Sequence, residues 1–178
     1  MPFAVQLDLD AVGASEIDYL SHRLERIPDL ETVLQIGDAH HISLAVYEDL
    51  PAERFVADLA RFAAVLEPLV VQLANIGIFT GARSVVFLGP VPTEELLALH
   101  RRFHDEFSAF AGSCWGHYRR GYWVPHVTLG MNAGSAALQR AAVEIMKSWK
   151  PTRARLDVVR LVRFRPVETI YRFALSSR

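Results

Sequence analysis

The chain has 178 residues, of which 51% are hydrophobic and 22% are charged, and its formal net charge is −1. This length and apolar fraction favour a folded globular protein and exclude a disordered chain, while the near-zero net charge argues against a protein that coats nucleic acid indiscriminately. The single cysteine, Cys114, excludes an intrachain disulfide.

Hydrophobic periodicity and turn residues predict strands and helices that alternate along the whole chain. In chain order we predict a strand at 3–10, a helix at 15–26 capped by Ser15, a strand at 41–47 and a helix at 51–66 with Pro51 in its first turn. Strands at 69–79 and 84–88 follow, and then a helix at 93–110 that opens on Pro92-Thr93-Glu94-Glu95. A loop rich in glycine, aromatic residues and arginine covers 112–125. The remaining elements are a strand at 126–131, a helix at 135–149 and strands at 155–164 and 168–175.

Charge is distributed unevenly. Residues 1–114 contain 7 Lys and Arg against 17 Asp and Glu, whereas residues 115–178 contain 12 against 3. Such asymmetry indicates either an anionic partner for the basic part or mutual attraction of the two parts within the fold. The sequence leaves both alternatives open.

An internal repeat organises the chain. His-Ile-Ser-Leu begins at His41 and His-Val-Thr-Leu begins at His126, 85 residues later, and each motif is preceded by a strand and a helix and followed by a helix and two strands. We therefore predict a single α+β domain over 1–178, made of two related lobes at about 1–83 and 84–178 that are joined across a pseudo-two-fold axis.

Strand geometry separates the two faces of each motif. Residues i and i+2 of a strand point to the same side, so His41 shares a face with Ser43, and His126 shares a face with Thr128. The same alternation puts Tyr47 on the His41 face and His40 on the opposite one. We expect an aliphatic row on one side of each strand and an imidazole with a hydroxyl on the other.

These two motifs, one in each lobe, resemble those of the two-histidine (2H) phosphoesterase superfamily and, within it, the 2'-5' RNA ligase-like proteins. The resemblance covers essentially the whole chain. It implies a bilobal α+β fold in which antiparallel sheets line a central cleft and helices lie outside. It also implies metal-independent hydrolysis of 2',3'-cyclic phosphates or 2'-5' phosphodiesters of RNA or nucleotides, with weak reverse ligation.

The residue types suit this chemistry. An ordinary imidazole has a pKa near ~6.5, so one histidine can activate water while the other protonates the leaving ribose oxygen. His41 and His126 are the predicted catalytic pair, although the sequence does not say which is the acid. Ser43 and Thr128 are predicted to donate hydrogen bonds to the phosphate.

Within the loop at 112–125, the part at 115–125 is the predicted substrate reader, because aromatic rings stack on bases and arginine pairs with phosphate. We expect Arg119, Arg120, Tyr122 and Trp123 to contact substrate, with Tyr47 as a wall of the site. The alternative for the loop is that its aromatic rings plug the interface between the lobes and its arginines are solvated.

The sequence differs from the family pattern just after the second motif. Many RNA-acting relatives carry a basic residue in this region, where this chain has Met131. Arg160, Arg163 and Arg165 either supply the missing charge or lie on an exposed face. Asp8 and Asp10 are interpreted as strand-end or cleft-rim residues.

No cofactor, bound metal, membrane or obligatory protein partner is expected, and the predicted partner is an RNA end or a nucleotide in the cytoplasm. The sequence has no basic leader and no unbroken apolar span. A zinc site at His100 and His104, or in the cleft with His40 and His117, is a minor alternative. The rival function is a protein that binds a nucleotide or RNA end on the same fold without turning it over.

Overall fold

Strands and helices alternate along the chain in the computed structural model, which describes residues 1–81 and 84–176. The strands are β1 (Phe3–Leu9), β2 (Glu31–Thr32), β3 (His41–Tyr47), β4 (Leu69–Phe79), β5 (Val85–Pro90), β6 (Val127–Met131), β7 (Thr152–Arg163) and β8 (Glu168–Ala174). The α-helices are α1 (Ala11–Leu24), α2 (Ala52–Ala64), α3 (Glu94–Glu106) and α4 (Ser135–Ser148), and two 3₁₀ helices cover Ser108–Ser113 and Gly116–Tyr118. None of the helices in the described ranges is long and apolar enough to cross a membrane.

All strand pairs are antiparallel, and six of the strands close into a ring. Its order is β1-β3-β6-β5-β4-β7, and β7 pairs again with β1. The short strand β2 is attached to β6, and β8 is attached to β7. The predicted α+β class with antiparallel strands is confirmed.

The core fills the space between the sheet and the helices. A cluster of fully buried or nearly buried phenylalanines joins α2 to α3 and the following 3₁₀ helix, and its members pack at ring-centroid distances of 4.5–6.4 Å: Phe55, Phe62, Phe103, Phe107 and Phe110. Helices α1 and α4 contact each other and cover the part of the sheet that contains β5, β6 and β7.

Two irregularities interrupt the alternation of side chains in the motif strands. In the β1–β3 pair, Val5 lies opposite Ala45 and Gln6 lies opposite Ser43, so Leu44 is an extra residue. The β5–β6 pair has the same irregularity, with Leu129 as the extra residue. A bulge of this kind reverses the side of the sheet to which the following residues point. The strand faces predicted by simple alternation therefore hold only up to Ser43 and Thr128.

The predicted bounds of β3 and β4 agree with the structure, and the Thr93 side chain caps α3 by accepting a hydrogen bond from the Leu96 amide. The predicted start of the first helix was wrong. Helix α1 begins at Ala11, because Asp10 is its N-cap and accepts a hydrogen bond from the Gly13 amide, so Ser15 lies inside the helix. The predicted helix at 93–110 ends its α-helical part at Glu106.

Candidate active site

The two motif strands are neighbours in the sheet. β3 and β6 pair through Ile42 and Val127, the residues that follow the two motif histidines. Adjacent side chains of a strand point to opposite faces of the sheet. The side chains that flank Ile42 and Val127 in sequence therefore all lie on the face opposite to theirs: His41, Ser43, His126 and Thr128. A two-fold axis through the Ile42–Val127 pair would produce this register, because each residue then meets its own equivalent.

That face lines a cavity of about 690 Å³, called the cleft below. Both histidines and both hydroxyl residues of the motifs line it. The residues around them that matter for the site are Gln6, Asp38, Val46, Trp115, Tyr118, Met131, Phe164 and Arg165. Val46 and Met131 each follow their motif histidine by five residues and reach the cleft because of the two bulges.

The same hydrogen bond orients both imidazoles. Nδ1 of His41 lies 2.7 Å from the carbonyl oxygen of Ala39, and Nδ1 of His126 lies 2.7 Å from that of Val124. A carbonyl only accepts, so each Nδ1 carries a proton and donates it. In both residues Nε2 is therefore the nitrogen left for chemistry.

His41 lies beside a buried charged network. The Nε2 atom of Gln6 is 3.0 Å from His41 Nε2 and 2.9 Å from Asp38 Oδ2. Arg160 bridges the carboxylates of Asp38 and Asp8 with hydrogen bonds of 2.7 Å each. Burial leaves the pKa of Asp8 above its ordinary value despite Arg160. For Asp38 burial is outweighed by the charge that His41 carries when it is protonated and by hydrogen bonds from Arg160 and Gln6, so its pKa is lowered.

This network corrects two expectations. Asp8 lies near the end of β1 but is not a rim residue, since it is 6% exposed and paired with Arg160 across the β1–β7 pair. Asp10 caps α1. Arg160 is buried as well and therefore neither decorates an exposed face nor reaches the cleft as a free cation. Here the acidic and basic parts of the chain attract each other within the fold.

His126 lies in an apolar environment instead. Its ring contacts Phe79 edge-on at a centroid distance of 4.9 Å and Phe87 at 5.3 Å. Burial lowers the pKa of His126, His41 contributes further when it is protonated, and the bond to Val124 only partly offsets this. Phe87 lies opposite Thr128 on β5 as Gln6 lies opposite Ser43 on β1, so equivalent positions carry an aromatic ring in one half and an amide in the other.

Two aromatic residues of the predicted loop support Ser43. The indole Nε1 of Trp123 donates to the backbone oxygen of Ser43 at 2.9 Å, and the ring stacks on His100 at 4.0 Å. The Tyr118 hydroxyl interacts with the Ser43 side chain, and burial raises the pKa of Tyr118 to about 12. Tyr118 is thus a protonated phenol at the wall of the cleft.

Trp123 and the other predicted substrate-binding residues of the loop do not line the cleft. Arg119 donates to the carbonyl oxygens of Cys114 and Ala111 and so closes its own loop. Arg120 pairs with Asp105 of α3, and Tyr122 is 74% exposed. The loop reaches the cleft through Trp115 and Tyr118, not through these three residues.

The prediction that Tyr47 walls the site was wrong. The bulge at Leu44 turns Val46 toward the cleft and Tyr47 toward the core, where Tyr47 is 1% exposed and packs edge-on against Phe55 at 5.5 Å. Period-two alternation alone contains no signal for such a bulge.

Three residues complete the wall of the cleft. Trp115 donates through Nε1 to Glu48 at 2.9 Å and contacts Phe164 edge-on at 6.0 Å. Arg165, in the β7–β8 connection, lies over the Phe164 ring at 5.7 Å. Among the described residues that line the cleft, Arg165 is the only lysine or arginine. Its charge at the cleft was one of the alternatives that the sequence left open.

Three of the other histidines, His40, His100 and His104, have structural surroundings, whereas His22 and His117 are exposed. His40 is buried against α1, 3.2 Å from Asp18 and 3.3 Å from Ser21, and burial lowers its pKa to about 4. His100 and His104 meet the backbone oxygens of Tyr118 and Leu44 and so tie α3 to the loop and to β3. Within the part of the chain that the structure describes, no three His, Cys, Asp or Glu side chains are grouped as metal ligands.

Comparison with known proteins matches residues 38–168 to the 2'-5' RNA ligase superfamily. No curated protein sequence matches the chain. Among solved structures, LigT of E. coli complexed with 3'-AMP is similar over 99% of this chain and 100% of that one, with 19% identity and a TM-score of 0.68. The protein TT0787 of Thermus thermophilus is similar over 98% of both chains, with 17% identity and a TM-score of 0.67. At these identities the structural likeness concerns the fold.

Proposed function

The chain belongs to the 2'-5' RNA ligase superfamily, and we propose that it is a metal-independent phosphodiesterase in which His41 and His126 are the acid–base pair. The proposed substrates are 2',3'-cyclic phosphates or 2'-5' phosphodiesters of an RNA end or a nucleotide. Weak ligation in the reverse direction is part of the proposal.

One observation carries it. Two histidines from paired strands line one cleft, and each is oriented by a 2.7 Å hydrogen bond from Nδ1 to the carbonyl two residues earlier. Binding alone does not require two imidazoles held in the same way. Two oriented proton carriers are what an in-line displacement at phosphorus requires, since one takes a proton and the other gives one.

The proposed reaction on a cyclic phosphate balances with water as the only co-reactant. Nε2 of one histidine takes a proton from water as the water oxygen forms a bond to phosphorus. The bond from phosphorus to a ribose oxygen breaks, and Nε2 of the other histidine gives that oxygen its proton. Ser43 and Thr128 donate to the non-bridging oxygens, which become more negative in the transition state.

Arg165 and the aromatic wall suit a nucleotide. The Arg165 guanidinium offers charge-assisted hydrogen bonds to a phosphate in a cleft where Met131 offers none. Trp115 and Phe164 offer ring faces, and stacking of a base on such a face contributes ~1–3 kcal/mol. LigT, which has the same fold, has been crystallised with 3'-AMP, ATP and NADP⁺, which supports a nucleotide as the ligand.

The test is incubation with a panel of 2',3'-cyclic nucleotides, a 2'-5' dinucleotide and a short RNA that ends in a cyclic phosphate, in the presence of a chelator. Phosphorus NMR identifies the bond that breaks. We expect chelator-resistant turnover that His41→Ala and His126→Ala each reduce at least ~10²-fold, the contribution of a positioned proton carrier. His22→Ala, at a largely exposed histidine on α1, is the matched control.

Three outcomes would reject the proposal. Near-normal turnover in either cleft variant would exclude the paired mechanism, and loss of turnover with chelator alone would indicate a metal-dependent hydrolase. Tight binding of a nucleotide in calorimetry, without product on any substrate of the panel, would favour the non-catalytic binding protein.

A further inference from the structure

Gln6 makes an unusual pair of hydrogen bonds. Its side-chain nitrogen lies 2.9 Å from Asp38 Oδ2 and 3.0 Å from His41 Nε2, and the residue is only 4% exposed. Its oxygen, Oε1, is buried without a hydrogen-bond partner among the described residues.

Asp38 decides which end of the amide faces His41. An ionised carboxylate only accepts hydrogen bonds, so the amide atom beside Oδ2 is the nitrogen. Asp38 is itself fixed, because Arg160 bonds it at 2.7 Å and the backbone amide of Ala39 bonds it at 2.9 Å. Arg160 is held in turn by Asp8 and by the Thr169 hydroxyl at 3.0 Å. The orientation of Gln6 thus follows from groups on β1, β7, β8 and the loop before β3.

The orientation of Gln6 restricts the protonation state of His41. Its Nδ1 already donates to Ala39, so an N–H from Gln6 can approach Nε2 only if that nitrogen is unprotonated and offers its lone pair. Protonated His41 would set two N–H groups against each other. We propose that Gln6 is a positioning residue that caps Nε2 of His41 in the ligand-free protein and thereby holds this imidazole neutral until substrate displaces the amide.

The proposal concerns one half of the site only. At the equivalent position of the other half, β5 carries Phe87, which has no donor for His126. A neutral imidazole with its lone pair at Nε2 is the form required of a general base. In this respect the inference rests on the proposed function and adds that His41 enters hydrolysis as the base.

Other charged groups face His41, and the test must separate them from Gln6. They are Asp8 on β1, Asp38 and His40 in the loop before β3, and His126 on β6; Arg160 on β7 bonds the two carboxylates. Replacement of Gln6 by methionine keeps all of these groups and nearly the same side-chain shape, and removes only the amide.

The experiment follows the titration of each histidine by NMR in the ligand-free protein, with a His41→Gln variant to assign the signal. In Gln6→Met we expect the midpoint of His41 to rise by roughly 0.5–1 pH unit, the equivalent of one hydrogen bond to the neutral form. Gln6→Glu, which can only accept, should raise it further. Thr169→Val removes a bond from the far end of the network, so it should leave the midpoint in place.

An unchanged or lowered titration midpoint of His41 in folded Gln6→Met overturns the proposal. If the methionine variant does not fold, an unchanged or lowered His41 midpoint in Gln6→Glu overturns it. The titration needs no substrate, so it stands even if no turnover is found. Where turnover is found, the acidic limb of the pH profile of kcat/KM should move with the His41 midpoint. KM should fall in Gln6→Met, because substrate no longer has to displace the amide. A limb that stays in place would exclude His41 as the base.

Discussion

Removal of the Arg160 guanidinium should destabilise the protein strongly. Arg160→Met keeps most of the aliphatic stem and deletes the cation that bonds Asp8 and Asp38 at 2.7 Å. Both carboxylates are less than a tenth exposed, so water cannot replace the lost partner. Loss of one partner from a buried ion pair costs about 3–5 kcal/mol, which for a chain of this size lowers Tm by roughly 6–20 °C.

The loss should depend on pH. In the wild type, Asp38 has a lower pKa in the folded than in the unfolded protein. It therefore stabilises the fold at pH values above its unfolded-state pKa, and this stabilisation is lost as the pH falls through its folded-state pKa. The raised pKa of Asp8 has the opposite sign, since burial favours the neutral form of this group in the fold. Without Arg160 both carboxyls would have raised pKa values. The gap between wild type and variant should therefore be wide at pH 8 and narrow toward pH 5.

Urea unfolding at several pH values between 5 and 8 measures this gap. Arg163→Met is the matched control, because Arg163 pairs with Glu168 at an exposed position and its loss should cost less than ~0.5–1 kcal/mol. Addition of Asp8→Asn and Asp38→Asn to Arg160→Met should recover part of the stability at pH 8. A loss below about 1 kcal/mol at pH 7, or an equal loss at pH 5 and pH 8, would refute the reasoning.

Three further predictions concern the cleft wall. Arg165→Ala should raise KM roughly tenfold or more and make it less sensitive to salt, because a charge-assisted phosphate contact is lost; unchanged KM at low salt would contradict this. Trp115→Ala should raise KM by a similar factor through lost stacking, measured against Glu48→Gln, which alters only the indole's partner. Tyr122→Ala should leave KM unchanged, since this ring is 74% exposed and does not line the cleft; a clear increase would return Tyr122 to the substrate site.

The motif residues could be placed from the sequence because their geometry is local. His41 and Ser43 are two residues apart in one strand, and a period of two is enough to put them on one face. The same rule failed for Tyr47, further along the same strand, because the extra residue at Leu44 reverses the faces. A bulge depends on the register with the neighbouring strand, which no local pattern specifies.

The buried charged network beside His41 could not be predicted either, because it too depends on strand pairing. Asp8 and Arg160 are 152 residues apart in sequence and meet only because β7 pairs with β1. Helix α1 shows a more local failure, since Gly13 near its start weakens the helical pattern and hides the Asp10 cap. A Cβ atom at Gly13 would lie 2.4 Å from that of Ala154, so close packing of α1 on β7 requires glycine there.

The closed ring of strands also has a consequence for synthesis on the ribosome. β1 finds β3 after about fifty residues have been made, but its other edge has no partner until β7, at Thr152–Arg163, emerges. An unpaired strand edge invites association with other chains, and pairing between distant segments is slow. Until Arg160 arrives, the Asp8 carboxylate on β1 lacks the cation that bonds it in the folded protein. The residue that completes the folded site thus also marks the moment at which the nascent chain can close.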